Sequence, residues 1–281
     1  MKLVVASIAM ILAAGCAQIL GLDDTKLDRR DAPDDAPSVC DTPAVACTPS
    51  SGRTLCGQLI TAGTGLPYRV PNPTGQTCTT TEGPCNLMVY GQSLATYFAG
   101  TIVDRKTGQV DDCGHFAIPD VDPAALSVAI GITGSDVGNS ARLVLDLPAA
   151  GTIETGITAV VVPTARKTAW AGSLSIAESE IASGYLVRYL TTPGVAVQGE
   201  EVRVGGAAVG GPVTHPWAGY FTSEFDLLEP TATATTTSGN AFIAAPSGTF
   251  RIGGFHVGAT CGRDGFQDVS NTLIYVVLKG C

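Results

Sequence analysis

The residues in this chain that could do chemistry are nine cysteines, three histidines, a few grouped carboxylates and one aromatic cluster. The cysteines are Cys16, Cys40, Cys47, Cys56, Cys78, Cys85, Cys113, Cys261 and Cys281. No C-x-x-C pair occurs and His115, His215 and His256 are scattered, so the spacing does not point to structural zinc. Asp111, Asp112, Asp120 and Asp122 bracket GHFAIP, and oxygens grouped on loops could hold calcium, although the spacing matches no EF-hand loop. Solvated turn residues are the simpler reading of these four. GQSLA around Ser93 approaches the G-x-S-x-G elbow of a hydrolase but lacks its second glycine. There is no H-E-x-x-H and no Walker loop. Gly205 to Gly211 precede neither a helix nor a lysine, so they read as a hairpin loop. No catalytic set emerges, and a non-enzymatic protein is expected, with an unusual hydrolase as an alternative. HPWAGYF is the sharpest binding signal: Trp217, Tyr220 and Phe221 on a surface loop could stack on sugar rings or a partner protein. Burial between two sheets is the commoner role for such a tryptophan.

The N-terminus sets the compartment. Lys2, the apolar run Leu3 to Ala14 and the small residues Ala13, Ala14 and Gly15 follow the order of a secretory signal. Cys16 directly afterwards resembles a bacterial lipobox, which implies cleavage after residue 15 and acylation of Cys16, with palmitate among the acyl groups. The pattern departs from the usual one at Ala13, where Leu, Val or Ile is common. An uncleaved anchor is the alternative, because Leu3 to Leu22 supplies about the 20 residues a spanning helix needs. Either way the chain is exported. With Cys16 acylated, Cys40, Cys47, Cys56, Cys78, Cys85, Cys113, Cys261 and Cys281 remain, an even set that reads as a disulfide framework. Plausible partners are Cys40 with Cys47, Cys78 with Cys85, Cys56 with Cys113 and Cys261 with Cys281. The last pair raises a geometric question. If FRIGGFHV and NTLIYVVL formed a simple hairpin, eight strand residues would separate the two thiols by roughly 26 Å, beyond disulfide reach. Either the 261–271 loop folds back along the strand, or these two strands are not hairpin partners.

The net charge of −9 argues against nucleic acid and against anionic lipid as electrostatic partners. Membrane attachment would come through the N-terminal lipid. Residues 16–55 are rich in Asp, Pro, Ser and Ala and read as an acidic tether with little to bury.

Thirty-four glycines, 17 prolines and only 15% charged residues accompany short apolar alternations cut by turn residues, the pattern of an all-β chain. The segments CGQLITAG, CNLMVYG, ATYFAGTIVD, GHFAIPDV, LSVAIGITG and ARLVLDLP read as strands of a first unit, 56–164. SGYLVRYL, GEEVRVGG, HPWAGYFTS, GNAFIAAP, TFRIGGFHV and TLIYVVLKG read as strands of a second, 165–281. A short helix is possible within Ser173 to Tyr189. Two small sandwiches of immunoglobulin or transthyretin type are the expected architecture.

CGQLITAGTGLP followed by DDCGHFAIPDV resembles the carboxypeptidase regulatory-like domain, a small transthyretin-like sandwich. TTPGVAVQGEEVRVGG and TATATTTSGNAFIAAP echo the same turn and strand in the second half. CAQILGLDDTKLD is similar to the N-termini of myxobacterial outer-membrane lipoproteins. The insert at 66–86 departs from the compact pattern. These resemblances imply a non-catalytic module of the cell envelope, serving adhesion, envelope organisation or a surface complex, with an envelope protein or a glycan as partner. A carbohydrate-binding module using the exposed aromatics is the alternative. Ala17, in place of the aspartate that retains enteric lipoproteins, favours the outer membrane by analogy.

Overall fold

The computed structural model describes residues 43, 45–70, 87–134, 136–149, 152–212 and 214–281. Residues 1–15, Cys16, Cys40, Cys78, Cys85 and most of the tether lie outside them. Pro43–Cys281 form one compact unit. Its first part runs through β1 (Arg53–Thr61), β2 (Leu87–Ser93), α1 (Leu94–Phe98), β3 (Lys106–Thr107), β4 (Gln109–Val110), β5 (His115–Val121), β6 (Val128–Gly134), β7 (Ser140–Val144) and β8 (Ile153–Val161). Helix α2 (Thr164–Leu174) and a 3-10 turn (Glu178–Ile181) follow. The rest is β9 (Gly184–Leu190), β10 (Glu201–Val204), β11 (Ala207–Ala208), β12 (Trp217–Phe221), β13 (Leu228–Glu229), β14 (Asn240–Ala244), β15 (Thr249–His256), β16 (Ala259–Gln267) and β17 (Leu273–Lys279).

The fold is all-β, as the turn-punctuated sequence implies. The described strands form three sheets, ordered β4-β5-β1-β8, β11-β10-β15-β16 and β13-β12-β14-β9-β17-β7-β6-β2-β3. The nine-stranded sheet is buried on both faces. Strand β9 sends Tyr185, Val187 and Tyr189 into one core cluster and Leu186 into another. In β17 the split is Ile274, Val276 and Leu278 against Leu273 and Tyr275. A strand covered on both sides reads as a continuous apolar run, and GYLVRYL and LIYVVL are such runs.

The outer sheets lie on opposite faces of this central sheet. Val128, Ile130 and Ile132 of β6 pack with Leu55, Leu59, Phe116 and Ile118 of the β1–β5 sheet. Ala129, between them, belongs to the other face, where Val202, Ile252 and Phe266 of the β10–β15–β16 sheet cover β9, β14 and β17. Two sandwiches thus share one sheet. They meet where β17 pairs in parallel with β7, at Leu273 with Ser140, Ile274 with Ala141 and Tyr275 with Arg142. Helix α2 seals the remaining face with Trp170 and Ala171, against Phe221, Phe242 and Tyr275.

Several expectations are corrected. ATYFAGTIVD is not a strand: the Ser93 hydroxyl accepts from Thr96 N–H and opens α1 instead. The short helix expected within 173–189 is the 3-10 turn Glu178–Ile181, and the longer α2, Thr164–Leu174, lies before it. The tether ends sooner than residue 55, since Val45 is buried and Arg53 already starts β1. Arg53 is wholly buried and donates to the carbonyls of Ala125 at 2.8 Å, Pro123 at 3.1 Å and Pro148 at 2.6 Å.

Cys47 pairs with Cys56, so neither Cys40–Cys47 nor Cys56–Cys113 forms. Cys113 is disulfide-bonded too, though not to Cys56. Cys261 does pair with Cys281. The geometric question resolves because β15 pairs with β16, which runs back along it, while β17 belongs to the other sheet.

Candidate functional site

A pocket of about 570 Å³ opens beside β1, β5 and β8, within the range of small-molecule sites. Its apolar wall comes from Val45, Phe116, Ile157 and the Cys47–Cys56 disulfide. Two backbone features shape it. Between Leu55 and Gly57 the parallel β1–β8 register shifts, with Glu154 opposite Leu55 and Ile157 opposite Gly57. The extra β8 residue is taken up at Gly156, whose φ of 69° suits glycine. Gly57 is equally constrained, because a Cβ there would run into the Ile157 carbonyl oxygen and the Phe116 ring.

The polar end of the pocket is His115, which faces Gln58 across the β1–β5 ladder. Its Nδ1 lies 3.0 Å from Asp111 Oδ2 and its Nε2 3.2 Å from Gln58 Nε2. With the Nδ1 proton directed at Asp111, Nε2 carries the lone pair and accepts from the Gln58 amide. Asp111 is buried, and its Oδ1 accepts from the backbone N–H groups of Cys113 at 3.0 Å and His115 at 2.8 Å. The carboxylate therefore pins the turn that joins β4 to β5 and orients the imidazole. Because the ring's lone pair is engaged by an amide, the arrangement presents hydrogen-bonding groups beside an apolar wall. It suits holding a small, mainly apolar ligand by one polar end.

His115 is thus a largely buried residue, with only 14% of its side chain exposed. The signal was present in DDCGH, an aspartate and a glycine three apart being turn chemistry. The other histidines are elsewhere. His215 Nε2 meets Glu180 Oε2 at 3.0 Å, and His256 Nδ1 meets the Gly199 carbonyl at 3.2 Å.

The carboxylates considered for calcium are used separately. Asp120 accepts from Ser51 N–H and Oγ, which holds its carboxyl below the usual range, and Asp122 caps Ala124 N–H. Asp111 and Asp112 do cluster with Cys113, but that sulfur is in a disulfide. Glu200 with Cys261 and Cys281 is a second cluster of this kind, and again both sulfurs are bonded to each other.

Ser93 sits at the strand-to-helix turn between β2 and α1. Its hydroxyl is 2.9 Å from Thr96 Oγ1, and both residues bond Asp104. Burial raises the Asp104 pKa, but the bonds from Ser93 and Thr96 outweigh it and hold the carboxyl below its ordinary value. Gly205 and Gly206, with φ of 63° and 87°, make the two-residue hairpin between β10 and β11.

The aromatic platform is overturned. Trp217, Tyr220 and Phe221 are 0%, 4% and 0% exposed. β12 lies inside the doubly covered sheet, so Trp217 and Phe221 enter one core and Tyr220 the other. The Trp217 ring lies 5.0 Å from that of Phe242, and Tyr220 Oη accepts from Val202 N–H.

Among the described residues no helix is long and apolar enough to cross a membrane. No family model and no curated protein matches the chain. Among solved structures the chain is similar to a streptococcal ancillary pilin, at 10% identity over 81% of this chain and 68% of that one, with a TM-score of 0.22. It is also similar to the shaft pilin SpaA from Lactobacillus rhamnosus GG, at 12% identity over 81% and 97%, with a TM-score of 0.21. The Bacillus anthracis TIE protein aligns at 12% identity over 72% and 33%, with a TM-score of 0.20. Likenesses this slight leave the architecture to rest on its own sheets and cores.

Proposed function

We propose that this chain is an exported, lipid-anchored protein of the bacterial envelope with a binding or structural role and no catalysis. The observation that carries the reading is the pair of disulfides Cys47–Cys56 and Cys261–Cys281, which bind the chain's entry to β1 and its last residue to β16. Such bonds persist in oxidising compartments outside the cytoplasm. The order Lys2, apolar run, Ala13-Ala14-Gly15, Cys16 supplies the export signal and the acylation position, and the outer membrane is its proposed destination. The doubly covered sheet makes a stiff body, and the pocket at His115 offers it a ligand.

Intact mass of the protein purified from membranes, before and after reduction, tests this. The expected species spans residues 16–281 with acyl groups and gains protons on reduction. An uncleaved N-terminus would replace the lipid with an anchor, and free thiols at Cys47, Cys56, Cys261 and Cys281 in the native protein would overturn export.

A further inference from the structure

The seam between the two sandwiches holds a second cleft. The β7–β17 pairing stops at Tyr275 and Arg142. Beyond it β17 continues to Lys279, laddered only to β9, while β7 ends at Val144. The strands part around a space of about 500 Å³ lined by Arg142, Asp146, Arg263, Val277 and Lys279, among others. Leu273 N–H donates to the Asn139 carbonyl, on the β7 side. By the two-residue period of a strand, the N–H groups of Val277 and Lys279 point to that side as well.

Charge is the unusual property of this cleft. Three cations line it in a chain whose net charge is −9. Asp146 is the one carboxylate among its lining residues, and it is paired with Arg263. The guanidinium of Arg142 lies over the Tyr275 ring, 4.6 Å from its centroid. Its Nε and Nη1 are sealed from solvent with no hydrogen-bond partner in the described structure. A buried guanidinium without an anion is costly, and burial accordingly lowers its pKa. The walls are fixed together: Cys261, next to Gly262 and Arg263 on β16, is bonded to Cys281, two residues beyond Lys279.

We infer that this cleft is a binding site for a small anion carrying a carboxylate or phosphate group, with Arg142 and Lys279 as its principal contacts. Guanidinium groups recognise both oxyanions through paired hydrogen bonds, and the outward N–H groups of Val277 and Lys279 suit the same charge.

Calorimetric titration of the full chain with inorganic phosphate and, separately, with citrate tests it, at constant ionic strength set by chloride. Saturable binding with one-to-one stoichiometry is expected for at least one probe, and the stronger probe identifies the anion class. Lys279→Gln, at an exposed position, should weaken binding about tenfold, in line with the loss of a charged hydrogen bond. Arg142→Met should abolish binding while leaving the free protein folded, since an apolar chain of similar length relieves the unpaired charge. Should Arg142→Met fail to fold, Lys279→Gln and Arg263→Gln decide the matter. Heats that follow ionic strength alone for both probes, or unchanged affinity in the variants that fold, would overturn the site.

Discussion

Removing the Cys261–Cys281 disulfide is the perturbation whose size follows most directly from the structure. The bridge closes a loop with a sequence separation of 20. Inside that loop lie most of β16, the turn after it and all of β17. Loop-closure entropy for this length gives about 3 kcal/mol of stabilisation through the unfolded state. Cys47–Cys56, with a separation of 9, gives about 2.5 kcal/mol by the same relation. Alanine is the replacement of choice, because Cys261 Sγ lies 3.4 Å from Glu200 Oε1 and a serine hydroxyl would form a new hydrogen bond there. For a folded unit of this size, about 3 kcal/mol corresponds to a fall in Tm of roughly 6–12 °C. Thermal and urea unfolding of Cys261→Ala/Cys281→Ala under oxidising conditions measures it, with Cys47→Ala/Cys56→Ala as the comparison. A loss below about 1 kcal/mol would refute the reasoning, since the relation gives about three times that. It would mean that residual structure keeps positions 261 and 281 close in the unfolded chain, so that the bridge removes little freedom there.

Arg53→Met removes the donor from three carbonyls, those of the half-buried Ala125 and the exposed Pro123 and Pro148. Water can reach these carbonyls once the side chain is gone, so the loss should be about 1–3 kcal/mol in all by chemical denaturation. Arg53→Lys should recover only part, because one ammonium lacks the guanidinium's spread of donors. Glu200 is buried, and its Oε2 has no partner among the described residues. Burial raises its pKa above the ordinary 4.5, and His256 opposes the shift. Below that value both folded and unfolded chains hold the proton and no penalty arises. Above it the unfolded chain ionises more readily, so stability falls as pH rises. Glu200→Gln should therefore raise Tm at neutral pH and lose its advantage as pH drops toward 4.5. An advantage that is constant with pH would count against a raised pKa.

Strands were legible wherever Gly, Pro or Asp cut an apolar run to length, as in GYLVRYL and TLIYVVLKG. Which strands share a sheet was not, because β17 finds β7 and β9 across long sequence separations. ATYFAG alternates like a strand, and only the Ser93 cap turns it into α1. β16 was missed for the opposite reason: ATCGRDGFQ has almost no apolar alternation, since it is a largely exposed sheet edge. HPWAGYF was readable as a buried strand or as a binding loop, because a surface loop and a strand covered on both faces can carry the same residues. Only the second outer sheet and α2, contributed by distant segments, bury its rings. In the His115 pocket the turn aspartate was readable locally, whereas the wall depended on Cys47 bonding Cys56 rather than Cys40.

The cleft at the seam follows from how the two sandwiches are joined. On the face toward Phe266, β7 and β17 share one core through Leu143 and Leu278, but on the other face Val144 of β7 packs with the β1–β5 sheet while Tyr275 of β17 packs with α2 and β12. Three residue pairs connect them, and twist accumulates along each strand. Two strands packed against different neighbours on one face have reason to diverge as soon as the pairing ends. A gap opened in this way would ordinarily be filled by apolar side chains, as Leu143 and Leu278 do on the face toward Phe266. On this seam Arg142 and Lys279 share the lining with Leu143, Val144, Leu145, Val277 and Leu278, and Arg263 is held at the edge by Asp146. Because residues 142, 263 and 279 come from three strands, no spacing in the sequence could reveal them, and only the topology makes their charges neighbours.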